Sequence, residues 1–94
     1  MLNARKRTVS KEMYMPTAWV LINTEPGSEA DVLKDLKKIT EVQEAYVVYG
    51  VYDIVARINA GRMDKLKQIS TSKVRKLDKV RSTLTMIAVE GFNH

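Results

Sequence analysis

Four strand-like segments and two amphipathic helical segments alternate as β-α-β-β-α-β between residues 17 and 90. The second and third strands are separated only by a glycine turn, so they form a hairpin. These observations predict an α+β, ferredoxin-like βαββαβ fold: a four-stranded antiparallel sheet with two helices on one face. The candidate strands are apolar at successive rather than alternate positions, so both sheet faces need cover. That extends the expectation to a dimeric α/β-barrel-like assembly. The chain has 94 residues, 45% of them hydrophobic and 29% charged, which is one globular domain and not a disordered segment. A domain this small removes only about 60% of its unfolded surface from water, which favours help from a partner chain.

Residues 1–16 are read as a basic N-terminal arm and residues 17–94 as the folded domain. The first strand is residues 17–24, apolar from Ala18 to Ile22. Glu25-Pro26-Gly27 turns the chain. Ser28 with Asp31 three residues on is a capping-box pattern, opening a helix to about Ile39. Its apolar stripe is Val32, Leu33, Leu36 and Ile39. Residues 42–49, rich in valine and tyrosine, form the second strand. Gly50-Val51 is a two-residue type II′ turn, and residues 52–59 are the third strand. After the Ala60-Gly61 break, residues 62–77 place Met63, Leu66, Ser70, Val74 and Leu77 on one helical face, with Ile69 beside them. Asp78-Lys79 turns the chain into the last strand, residues 80–90.

Alternation along these strands gives a sheet oily on both sides. Ala18, Val20 and Ile22 oppose Trp19 and Leu21. Tyr46 and Val48 oppose Ala45, Val47 and Tyr49, and Ile54, Ala56 and Ile58 oppose Val51 and Val55. Leu84, Met86 and Ala88 oppose Ile87 and Val89. Two helices cover one face, and an uncovered apolar face of several hundred Å² marks an interface. Homodimerisation through sheet faces follows, with ring-like higher assembly beyond it. The alternative cover is the arm, through Met13, Tyr14 and Met15.

Composition excludes much else. There is no cysteine, and the one histidine is His94. Disulfides, thiolate chemistry, a His-based metal site and a Ser-His-Asp triad therefore fall away, and neither metal nor cofactor is expected. Catalysis would have to rest on Asp53, Lys79 or Glu90, among which no nucleophile–base pair can be drawn, so the protein is read as a non-enzyme. No run approaches the roughly 20 apolar residues that span a bilayer, and the basic leader has no apolar core, so a cytoplasmic protein without membrane contact is expected. Four cations against Glu12 give residues 1–16 a net +3 of the total +5. The third strand lacks the aromatic stretch of an RNA-recognition motif. Direct DNA or RNA binding by the domain is not expected, and Arg5-Lys6-Arg7 is at most an accessory phosphate contact.

The stretch Tyr46-Val47-Val48-Tyr49-Gly50-Val51-Tyr52-Asp53-Ile54 carries a G-x-Y-D signature between two strands. It resembles the effector-binding RAM domain of the Lrp/AsnC regulators. Val80-Arg81-Ser82-Thr83-Leu84-Thr85 resembles that family's closing strand, and Ala18 to Thr24 with Pro26-Gly27 resembles its stand-alone members. The resemblance implies transcriptional regulation of metabolism. It implies sheet-paired dimers assembled into rings, a small effector such as an amino acid between dimers, and co-assembly with a full-length Lrp/AsnC regulator. The implied ligand-binding residues are Tyr49, Gly50, Val51, Tyr52, Asp53, Thr83 and Thr85. Sixteen residues before the first strand are too few for the family's helix-turn-helix, and Lys79 stands where the family has glycine.

The residues themselves allow plainer roles. Gly50 serves the turn whether or not a ligand approaches. Asp53 is either an acceptor for a ligand ammonium or an ion-pair partner of Arg57. Thr83 and Thr85 are good strand residues on one face, and Tyr49 and Tyr52 suit interface core as well as a pocket wall. The ACT domain is the alternative family of the same topology; its ligand loop would be Glu25-Pro26-Gly27.

Overall fold

A computed structural model describes residues 16–94. The arm, with its Arg5-Lys6-Arg7 run and the proposed cover from Met13, Tyr14 and Met15, lies outside the described residues except for Pro16. The elements are β1 (Thr17–Thr24), α1 (Glu29–Lys37), β2 (Val42–Val47), β3 (Ile54–Asn59), α2 (Met63–Gln68) with a π-helical turn (Ile69–Val74), and β4 (Val80–Ile87). The sheet is antiparallel in the order β2-β3-β1-β4. The ferredoxin-like expectation therefore holds in order and topology.

Alternation in the central strands sorts the residues. Ala18, Val20 and Ile22 of β1 and Ile54, Ala56 and Ile58 of β3 are buried. They lie opposite one another, Ala18 with Ile58, Val20 with Ala56 and Ile22 with Ile54. Val32 and Leu36 of α1, Leu66 of α2, and Ile69 and Val74 of the π turn close the core above them. Burial of these side chains is the main stabilising term, about 1.5–3 kcal/mol for each large one.

Several boundaries differ from the sequence expectation, each for a physical reason. The hairpin is not a two-residue turn. Strand pairing stops at Val47 and Ile54, and the loop closes through Val48 N–H donating to Asp53 C=O at 2.9 Å. Gly50 sits at φ +151°, a conformation that favours glycine, inside this wider loop. Val48, Tyr49 and Val51 therefore belong to no strand face. The last strand ends at Ile87, and Val89 is left exposed. The capping box does not form: the Ser28 hydroxyl makes no cap, the Ser28 N–H donates to Glu25 C=O, and the Asp31 carboxylate is held by Lys79.

The second helix is not a plain α-helix over residues 62–77. Its sheet-facing residues Leu66, Ser70 and Val74 are spaced four apart, wider than an α-helical turn. The chain answers with a π turn, in which Arg75 N–H donates to Ser70 C=O. All three residues thereby stay against the sheet, while Met63, expected in the core, is exposed.

Candidate functional site

The expected site residues divide into three places. Gly50, Tyr49 and Val51 stand exposed on the hairpin loop, and Tyr52 is half-buried at its base. Asp53 is at the root of the loop, where its N–H donates to Ile22 C=O at 2.9 Å. Its Oδ2 accepts the Thr24 N–H at 2.9 Å, with the Thr24 hydroxyl at 3.5 Å. Thr24 is buried, so this carboxylate satisfies a donor that water does not reach. Arg57, the alternative partner for Asp53, instead donates its Nε to Glu44 Oε2 at 2.6 Å. The Asp53–Arg57 pair does not form, because β2 brings Glu44 directly opposite Arg57.

Thr83 and Thr85 lie on the helix-covered face, opposite Ile22 and Val20. Thr85 shares a hydrogen bond with the buried Ser70 hydroxyl of the π turn. The single chain thus brings Asp53 close to the start of β4 but does not gather the loop residues and the two threonines into one cavity.

A solvent-open depression of about 350 Å³ does form beside Asp53, lined by Asn23, Thr24, Asp53, Arg81 and Ser82. Its shape comes from a bulge. Asn23 pairs with Ser82 but Thr24 pairs with Val80, so Arg81 has no residue opposite it. The Arg81 side chain has no ion-pair partner among the described residues. Asn23 Nδ2 donates to Ser82 Oγ at 3.3 Å across the floor. Asp53 and Arg81 therefore present opposite charges to one depression without pairing with each other. Arg81 was missed in the sequence because it reads as an ordinary strand residue; only the register shift sets it apart. A second depression, of about 400 Å³ at the other end of the sheet, includes Glu41, already engaged by Lys73 at 3.5 Å.

The approach to β4 is held by a residue in a left-handed conformation. Lys79 adopts φ +71°, the left-handed conformation that glycine takes most easily. Its C=O accepts the Glu25 N–H at 2.8 Å, and its Nζ meets Asp31 Oδ2 at 2.8 Å. That hydrogen bond and charge hold the Asp31 carboxyl below its ordinary value and raise the Lys79 ammonium above its own. The Glu25-Pro26-Gly27 loop, the ACT-like alternative site, is exposed and tied back to Lys79 by the same backbone bond.

The uncovered sheet face carries Trp19 and Leu21 of β1, Val55 of β3, Tyr46 of β2, and Leu84 and Met86 of β4. Tyr46 is 54% exposed, Leu84 46% and Met86 47%. The face is less uniformly oily than expected. Glu44 lies on it, accepting from Arg57 and from Tyr46 Oη at 2.7 Å. The Arg57 hydrogen bond, with Tyr46 behind it, lowers the Glu44 carboxyl below its ordinary value.

No described helix is long and apolar enough to cross a membrane. Comparison with known families matches residues 17–93 to the Lrp/AsnC ligand binding domain. An uncharacterised HTH-type transcriptional regulator of Pyrococcus abyssi is 31% identical over 77 residues, covering 82% of this chain and 49% of the regulator. The chain thus spans about half the length of the curated relatives it matches. A hypothetical protein from Pyrococcus horikoshii is 40% identical, with TM-score 0.75, over 85% of this chain and 96% of the other. A transcriptional regulator from Neisseria meningitidis, solved as its complex with L-Met, shares the fold at TM-score 0.76 and 12% identity, over 89% of this chain and 55% of that one.

Proposed function

The chain belongs to the Lrp/AsnC family as one of its ligand-binding domains, and from that premise we propose that it is a receptor for a small zwitterion, most simply an amino acid. Its output is assembly, alone and with a full-length regulator of the family. The observation that carries the reading is the unpaired opposition of Asp53 and Arg81 across one depression. A carboxylate and a guanidinium that face the same space suit a ligand with an ammonium at one end and a carboxylate at the other. The L-Met complex of the Neisseria regulator is an amino-acid complex on the same fold. Tyr49, Gly50, Val51, Tyr52, Thr83 and Thr85 are proposed as further contacts, reached when loop and strand of neighbouring copies meet. That the relatives matched over half their length are HTH-type regulators supports the co-assembly role.

The mechanism is linkage. A ligand held at a seam stabilises the assembly that contains the seam, by about 2.7 kcal/mol per site at a hundredfold excess over Kd. A thermal-shift screen of the twenty amino acids tests it. One or more should raise the melting temperature of the parent protein. Asp53→Asn keeps an acceptor for the buried Thr24 N–H and so keeps the fold, but it loses the charge that meets an ammonium. Both Asp53→Asn and Arg81→Gln should melt near the parent and lose the shift. A shift that survives in both variants, or a parent that responds to none of the twenty, overturns the reading. Native mass spectrometry of a mixture with a full-length family member should show hetero-oligomers, and their absence would remove the co-assembly role.

A further inference from the structure

The depression beside Asp53 has a polar floor as well as two charged ends. The sheet runs β3-β1-β4 across it, and Asp53, just before β3, bonds through its N–H to Ile22 C=O of β1. Asp53 and Arg81 of β4 therefore flank β1 from its two sides. Two strand spacings of about 4.8 Å put their backbones about 10 Å apart. That span leaves room for an ammonium and a carboxylate between them, each within hydrogen-bond reach of its partner. Asn23 and Ser82 stand opposite each other between the two charges, on β1 and β4. Asn23 Nδ2 donates to Ser82 Oγ at 3.3 Å. That bond leaves the Asn23 Oδ1 as an acceptor and the Ser82 O–H as a donor, side by side and without a partner among the described residues. Among the described residues no apolar side chain lines the depression.

We infer that this floor selects the ligand's side chain, and that the site takes an amino acid bearing a carboxamide, glutamine or asparagine. The selection rests on the zwitterion reading of the same site and narrows it. With its ammonium at Asp53 and its carboxylate at Arg81, the ligand sets its α-carbon over the Asn23–Ser82 pair. A carboxamide carries a donor and an acceptor on one planar group. Its NH2 donates to Asn23 Oδ1, and its C=O accepts the Ser82 O–H. A hydroxyl has one atom for both roles and meets the pair less completely. An apolar side chain displaces water from both groups and leaves them unpaired. A charged side chain finds no counter-ion, because Asp53 and Arg81 are already matched by the ligand's own two charges. The depression, about 350 Å³, also admits side chains larger than these. Polarity therefore does the selecting, and size does not.

Calorimetric titration of the parent protein with each of the twenty amino acids tests the selection. Glutamine or asparagine should bind most tightly, about tenfold or more ahead of methionine and leucine, which match them in length but lack the polar group. Asn23→Leu combined with Ser82→Ala removes the acceptor and the donor together. In that variant the carboxamide ligand should fall to the level of methionine and leucine. Ser82→Ala alone, the milder change, should lose part of the preference while melting near the parent. If an amino acid without a carboxamide binds the parent as tightly, the selection is wrong and the zwitterion reading stands. If the preference survives in both variants, the Asn23–Ser82 pair is not its source and the inference fails. If none of the twenty binds the parent, the zwitterion reading itself falls, and the selection with it.

Discussion

Lys79 stands at φ +71°, a backbone conformation that costs a β-carbon-bearing residue about 1–2 kcal/mol. The chain carries that cost at a position glycine would occupy more easily, and what it gains is the Nζ contact to Asp31. Both partners are exposed, so the ion pair offsets only part of the strain. Lys79→Gly should therefore melt at or above the parent, whereas Lys79→Val, which keeps the strain, adds β-branching and loses the charge, should be less stable than Lys79→Gly by about 1–2 kcal/mol in urea titration. The pair also sets two pH limits. The Asp31 carboxyl is lowered from 3.8, so its contribution is present above that value and is lost as pH falls through the folded-state pKa. The Lys79 ammonium is raised from 10.5, so its contribution is present below that value and is lost as pH rises through the folded-state pKa. Comparing Lys79→Gly with the parent across pH should show their stability difference change only at these acid and alkaline ends.

The π turn is the element where local preference and tertiary demand part. A plain α-helix would also hold Leu66, Ser70 and Val74 on one broad, drifting face; the π turn brings them into closer line, and all three are buried. Ser70 meets Thr85 of β4 beneath the helix, a polar bond within an apolar layer. Removing one hydroxyl strands the other, while removing both leaves two apolar groups of similar shape. Ser70→Ala should cost about 1–2 kcal/mol, and adding Thr85→Val should cost less than the sum of the single changes, measured as a double-mutant cycle in denaturant. The loss of additivity is the signature of the bond; additive costs would mean that the hydroxyls do not depend on each other. The spacing of Leu66, Ser70 and Val74 contained this turn, but four-residue spacing also fits a drifting α-helix, and only the partner on β4 decides between them.

At the scale of the molecule the two sheet faces have opposite fates. One is closed by α1, α2 and the π turn; the other presents Trp19, Leu21, Val55, Leu84 and Met86 with the Glu44–Arg57 pair at its side. A glutamate in place of Leu84 would place a charge in the middle of any face-to-face contact. Leu84→Glu should therefore abolish the proposed face-to-face dimer and run as a monomer by light scattering, with little change in the fold because Leu84 is already half exposed. The element order, the core residues of β1 and β3, and the uncovered oily face were all legible in residues 17–90, because strand alternation and helical stripes are local periodicities. So was the family, through Gly50, Asp53 and the closing strand. Three things belonged to the tertiary structure alone. Asp53 turns to Thr24 and not to Arg57, the bulge leaves Arg81 facing the same depression, and the chain after Ile87 leaves the sheet. Each depends on which strand lies beside which and in what register. A chain's own periodicity states which side a residue faces, but not which residue of another strand will stand across from it.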